Sequence, residues 1–103
     1  MKHFLIRYTF KNGTREAWHA EINRFITALE NDPKLKDRIS YRCMRVRDSD
    51  EYYHVAAAAD DRAPADLNAA DFFKHYTAAS DAVSAGGLEV LPLEIIAETS
   101  YRA

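Results

Sequence analysis

Glycine, proline and cysteine are all scarce here: three, three and one in 103 residues. A phosphate-cradling loop needs several glycines close together, whereas Gly13, Gly86 and Gly87 fall between patterned segments, where turns are expected. The single cysteine, Cys43, excludes an intrachain disulfide, and no CxxC, HExxH or two-His-one-carboxylate spacing suggests a metal. Long apolar runs are missing as well. The amino end, MKHFLIRYTF, is broken by Arg7 and has no small-residue cleavage site. Neither a signal sequence nor a membrane span is expected, and a cytoplasmic location is the default. The charge is near balance and slightly acidic, with a net charge of -2. Nucleic-acid binders usually carry a basic face, so that class is disfavoured. Arg42, Arg45 and Arg47 are followed at once by Asp48, Asp50 and Glu51, which reads as a solvated strand edge. No serine sits in an elbow-like setting that would make it a nucleophile.

What is present is an order of patterns within one domain, residues 1–103. His3 to Lys11 alternates, with Phe4, Ile6, Tyr8 and Phe10 on one face and His3, Leu5, Arg7 and Thr9 on the other. After Asn12-Gly13, Thr14 can cap a helix whose apolar stripe is Trp18, Ile22, Phe25, Ile26 and Leu29. Pro33 ends that helix. Ile39 to Arg47 and Tyr52 to Ala59 read as two strands joined by Asp48-Ser49-Asp50. The four alanines of the third strand, Ala56 to Ala59, leave space above an inner strand for bulky side chains or a ligand. Asn68 is expected to cap the second helix, with Asp71 three residues on and Leu67 stapled to Phe72. Its stripe is Phe72, Phe73, Tyr76, Ala79 and Val83, ended by Gly86 or Gly87. Leu88 to about Thr99 reads as a last strand, and Pro92 argues for an edge position, a bulge or a split into two short pieces.

This βαββαβ order predicts an α+β, ferredoxin-like fold: a four-stranded antiparallel sheet with two helices on one face. Two helices cover one face only, yet the strands carry apolar side chains on both. Either the Phe4 side or the Leu5 side would face water in a single copy. A homodimer through the sheet face is therefore expected, with the two sheets closing into a barrel.

Chemistry is read from histidines and tyrosines. His75 has Asp71 one turn earlier on the same helix, a partner that could hold and polarise the imidazole. A surface histidine with a charge partner explains the same spacing. His3 and His54 fall near opposite ends of neighbouring strands, too far apart to share a metal. Tyr8, Tyr41, Tyr52, Tyr53, Tyr76 and Tyr101 are many for so short a chain. With Arg7, Trp18 and His75 they suggest an amphipathic pocket for a flat aromatic or quinone-like compound, although interface and rim positions account for tyrosines too.

The element order, the doubly apolar sheet and the segment FFKHYTAASD (72–81) resemble the dimeric α+β barrel proteins of the antibiotic biosynthesis monooxygenase type. The resemblance implies a dimer with a ligand cavity between sheet and helices. It also implies an oxidoreductase, a cofactor-independent monooxygenase acting on a small aromatic or phenolic compound. Catalytic roles would fall to His75 and Tyr76, and pocket roles to Trp18, Tyr52, Phe72 and Arg7, with no metal and no cofactor. In the haem-degrading branch the helix histidine, here His75, ligates haem. The tryptophan of that branch would fall near Ala65 or Asp66, and its asparagine near Leu5 or Arg7; both are absent, so haem degradation is not implied. The alternative is a non-catalytic dimeric module for small-molecule binding or association.

Overall fold

The computed structural model describes residues 1–100. Four strands, β1 (Lys2–Thr9), β2 (Ile39–Arg45), β3 (Glu51–Ala58) and β4 (Glu89–Leu93), form one sheet in the order β2-β3-β1-β4. Every neighbouring pair is antiparallel. Three helices, α1 (Arg15–Asn31), α2 (Ala63–Ala69) and α3 (Asp71–Val83), complete the described chain. The ferredoxin-like βαββαβ order is the one expected.

Two parts of the expected architecture are corrected. The sheet is open: β2 and β4 are its two edges, so it does not close into a barrel. And there are three helices, not two. The extra one, α2, begins just after the third strand, at a place where Asp60 and Pro64 look in the sequence like no more than a strand's end. The Asp60 carboxylate accepts from the backbone N–H groups of Arg62 and Ala63, at 2.9 and 2.8 Å, and thereby satisfies donors at the helix start. Pro64 then sits in the first turn, where its missing N–H costs nothing and its fixed φ suits a helix. Arg38 locks the start in place by bridging Asp60 and Asp66. As a consequence Asn68 lies inside α2 and caps nothing; α3 begins after an extended Ala70 with no side-chain cap.

α1 follows the sequence closely. Thr14 accepts from the Ala17 N–H at 3.2 Å, and Trp18, Ile22, Phe25 and Leu29 are its buried stripe. α3 stops at Val83, ahead of the glycines; Gly86 and Gly87, both at positive φ, turn the chain into β4 instead. Asp48, at φ 61°, makes the β2–β3 turn, which a short polar side chain tolerates. β4 is shorter than expected and lies at an edge, with Pro92 opposite Phe4.

The register settles which face the helices cover. Tyr8 lies opposite Tyr52, Ile6 opposite His54 and Phe4 opposite Ala56, while Tyr41 and Cys43 lie opposite Ala56 and His54. These side chains point at the helices: Tyr8, Phe10, Tyr52 and Ala58 join Trp18, Phe25, Leu67 and Tyr76 in the core. The other face carries Leu5, Tyr53, Val55 and Leu91, half-buried, with Met44 and Leu93 more than 40% exposed. No helix among the described residues is long and apolar enough to cross a membrane.

Candidate active site

The helix-facing side of β3 is where polar chemistry and empty space meet. Its alternation places Tyr52, His54, Ala56 and Ala58 on one side, so the strand starts with rings and ends with methyl groups. Above the alanines is an apolar cavity of about 290 Å³. Phe4, Ile6, Ile39 and Tyr41 share its floor with Ala56, and Pro64, Leu67, Phe73 and Thr77 form its roof. Asn68 and the 59% exposed Val90 stand at its outer edge. The space read from the alanine run is therefore present and is not filled by protein.

Beside the cavity lies His54, 1% exposed. Three tyrosines reach it. Tyr8 Oη is 3.0 Å from Nε2, while Tyr76 Oη and Tyr41 Oη are 3.3 and 3.4 Å from Nδ1. Counting donors assigns the tautomer. The Trp18 indole can only donate, and it donates to Tyr8 Oη at 2.9 Å. The Tyr8 hydrogen then finds its acceptor in Nε2 of His54. Nδ1 must therefore carry the imidazole proton, and it donates to the shared position between Tyr76 and Tyr41. The Tyr76 hydroxyl lies 3.9 Å from Cys43 Sγ. Among the described residues, no buried side-chain nitrogen or oxygen is left without a partner.

Burial fixes the charge state of this cluster. Desolvation pulls the His54 imidazole down from 6.5 to about 4, so it is neutral at physiological pH. The same cause pushes the Cys43 thiol up to about 11 and raises the hydroxyls of Tyr8, Tyr41 and Tyr76 far above the ordinary tyrosine value. Rings pack around it: Tyr76 stacks on Phe25 at 4.0 Å between centroids and on Trp18 at 5.8 Å. Among the described residues, no group of three or more His, Cys, Asp or Glu could hold a metal ion.

The residues singled out from sequence are distributed unevenly around this site. Tyr76 and Trp18 are buried members of the His54 cluster, and Phe72 packs against Phe25. Tyr52 stacks on Tyr8 but lies outside the cavity wall. His75 is on the outside of α3, its side chain 68% exposed, and its partner is Glu21 of α1 at 2.8 Å, not Asp71. Arg7 is on the helix-free face, paired with Glu89 at 3.0 Å. Tyr101 lies outside the described residues. Sequence reasoning named Tyr41 among the pocket tyrosines, and it lines the cavity, but His54 as the residue these tyrosines meet was missed. The available signal is the alternation along β2, which puts Tyr41 and Cys43 on one face and needs only the β2–β3 register to bring both to His54.

No protein-family model matches the chain, and no curated protein does. Solved structures match along nearly its whole length. SnoaB from Streptomyces nogalater, described as a cofactor-independent oxygenase, is 20% identical, covers 97% of each chain and superposes with a TM-score of 0.77. A protein described as an antibiotic biosynthesis monooxygenase is 12% identical over 94% of this chain and 100% of its own, with a TM-score of 0.73. A dimeric ferredoxin-like protein of unknown function from Jannaschia sp. CCS1 is 15% identical over 92% and 100%, with a TM-score of 0.66. The chain thus has the fold of the antibiotic biosynthesis monooxygenase type, as the sequence resemblance implied.

A buried imidazole held neutral has a consequence for stability. The unfolded chain takes up a proton near 6.5 and the folded chain only near about 4. Stability is therefore complete above the first value and is lost as pH falls through the interval. At about 1.4 kcal/mol per pKa unit the loss at His54 totals about 3 kcal/mol. Urea unfolding of the wild type between these two values should show this slope, and His54→Gln should be less stable at neutral pH yet flatter with pH. Equal slopes in the two proteins would contradict a neutral buried His54.

Proposed function

We propose that the chain is a cofactor-independent oxygenase for a small, electron-rich phenol or related enol held in the cavity beside Tyr41 and His54. The observation that carries this reading is the unfilled apolar space of about 290 Å³ with a hydrogen-bonded tyrosine in its wall. An apolar cavity of about 150 Å³ accepts benzene, so a space about twice as large suits two fused rings. The likeness to SnoaB, a cofactor-independent oxygenase, supports the reaction class.

The chemistry follows from what the site offers. A neutral His54 at about 4 is a weak base, so it does not readily take a phenolic proton. The ligand must therefore be acidic enough to give its proton to water as it enters. Its oxygen receives the Tyr41 O–H, while the Tyr41 oxygen is itself held by the His54 N–H. The electron-rich anion reduces oxygen, a C–O bond forms at a ring C–H, and the O–O bond breaks as that hydrogen leaves. The balance is phenol plus O₂ to quinone plus water. A dry pocket protects the intermediate radical from side reactions. On this reading His75 and Arg7 are outside the reacting space; Tyr76 and Trp18 act by holding His54 and Tyr8.

The functional unit is a homodimer formed through the helix-free face. Leu5, Tyr53, Val55 and Leu91 would otherwise form an apolar patch in water next to Met44 and Leu93. The Jannaschia protein of the same fold is dimeric, in support of this.

Oxygen consumption with one- and two-ring phenols tests the activity. The rate should rise with pH along the ionisation of the phenol. Ala56→Leu fills the floor of the cavity and should abolish uptake while circular dichroism stays native. Uptake that survives Ala56→Leu, or none across a broad phenol panel, would reject the oxygenase. For the dimer, Val55→Lys should convert a two-subunit species in analytical ultracentrifugation into single subunits. A wild type that sediments as one subunit at micromolar concentration would overturn it.

A further inference from the structure

The side of the aromatic cluster away from the cavity ends in a second arrangement that the oxygenase reading leaves unused. Tyr52 is 2% exposed and lies opposite Tyr8 in the sheet. Their rings stack, with centroids 5.2 Å apart and planes 9° from parallel. Tyr8 in turn accepts the Trp18 hydrogen bond, and Trp18 stacks on Tyr76. Four oxidisable rings are thus in unbroken contact. At the outer end the Tyr52 hydroxyl is 2.6 Å from Nε2 of His19. His19 is half-buried and lines a cleft of about 270 Å³ with Asn23, Cys43 and Arg45. Tyr52 has no other hydrogen-bond partner among the described residues, so its buried O–H donates to His19.

We propose that Tyr52 is a redox-active tyrosine with His19 as its proton acceptor, and that it carries one-electron oxidising equivalents from the core to this cleft. A tyrosine gives up an electron readily only where its proton can leave at the same time, because the protonated phenol radical is strongly acidic. All three tyrosines in the stack have an imidazole in reach, but Tyr76 meets the Nδ1–H of His54, which cannot accept a proton, so Tyr8 and Tyr52 remain. Oxidation of Tyr8 would leave a cation on His54, which is enclosed and has no counter-charge. Oxidation of Tyr52 leaves the cation on His19, at a cleft open to water. The hole therefore comes to rest at Tyr52.

Tyr52 gives one electron to an oxidised Tyr8 or Trp18, which is restored. The Tyr52 O–H bond breaks, the proton joins the Nε2 lone pair of His19, and a neutral phenoxyl radical and an imidazolium remain. A small thiolate in the cleft returns the electron and becomes a thiyl radical, while the imidazolium returns the proton. The natural source of the hole rests on the oxygenase reading, through a peroxyl radical formed when a ligand radical escapes and adds O₂; it takes the electron from Tyr8 or Trp18 and a proton from water, and becomes a hydroperoxide. The site itself does not depend on that reading.

Flash-generated ruthenium(III) tris(bipyridine), made with persulfate, supplies an external one-electron oxidant to the full chain. Transient absorption and electron paramagnetic resonance should then show a neutral tyrosyl radical. Tyr52→Phe keeps the ring stack and should remove most of the signal. His19→Gln, a change at a half-buried site, should slow radical formation by about a hundredfold and erase its solvent deuterium isotope effect. An unchanged radical yield in Tyr52→Phe, or an unchanged rate in His19→Gln, would overturn the proposal. Loss of phenol-dependent oxygen uptake with this radical intact would reject the oxygenase and leave the tyrosine assignment standing.

Discussion

A histidine enclosed to 1% exposure has to be answered at both ring nitrogens, and meeting that demand organises the helix-facing side of this sheet. Tyr8 answers one nitrogen from β1; Tyr41 and Tyr76 answer the other from β2 and α3. Trp18 of α1 completes the set through Tyr8. The hydrogen bonds therefore tie three strands and two helices to a single ring. Leaving any one of these groups unpaired would cost about 1–3 kcal/mol, which is large beside the net stability of a small domain. The same enclosure keeps the imidazole neutral, so the centre of the protein is polar without being charged.

Space and polarity are divided along one strand. β3 begins with Tyr52 and His54, which fill the layer under α1, and ends with Ala56 and Ala58, which leave it empty under α2 and α3. Alanine is a weak strand former, so its use on an inner strand trades local preference and packing for volume. α2 supplies the missing roof. Without the Asp60 cap and the Arg38 bridge that hold it, Pro64 and Leu67 would not stand over the alanines. The cavity is thus a product of small residues below and a short helix above, with Tyr41 joining it to the histidine.

The parts of this arrangement legible in the sequence are those set by local pattern. The Thr14 cap, the Trp18-to-Leu29 stripe, the edge position of Pro92 and the space over the alanines needed only spacing and residue type. The parts that were not legible depend on partners far away in the chain. Pro64 looks the same whether it ends a strand or opens a helix; the Asp60 contacts decide. Asp71 stands one turn from His75, yet the partner that takes the imidazole is Glu21, on a different helix. His54 sits in a run, Tyr52-Tyr53-His54-Val55, where both faces look alike, and only pairing with β1 turns it inward. The open sheet follows from the order of strands, which leaves β2 and β4 without partners within the chain.

The neutral, singly protonated His54 can be observed directly. Nitrogen-15 NMR of the histidine side chains should show one imidazole fixed with its proton on Nδ1, unchanged between about pH 5 and 8, where a solvated histidine titrates. An imidazole at His54 that exchanges between tautomers, or that titrates near 6.5, would contradict the account, since the tyrosine cluster would then not be holding it.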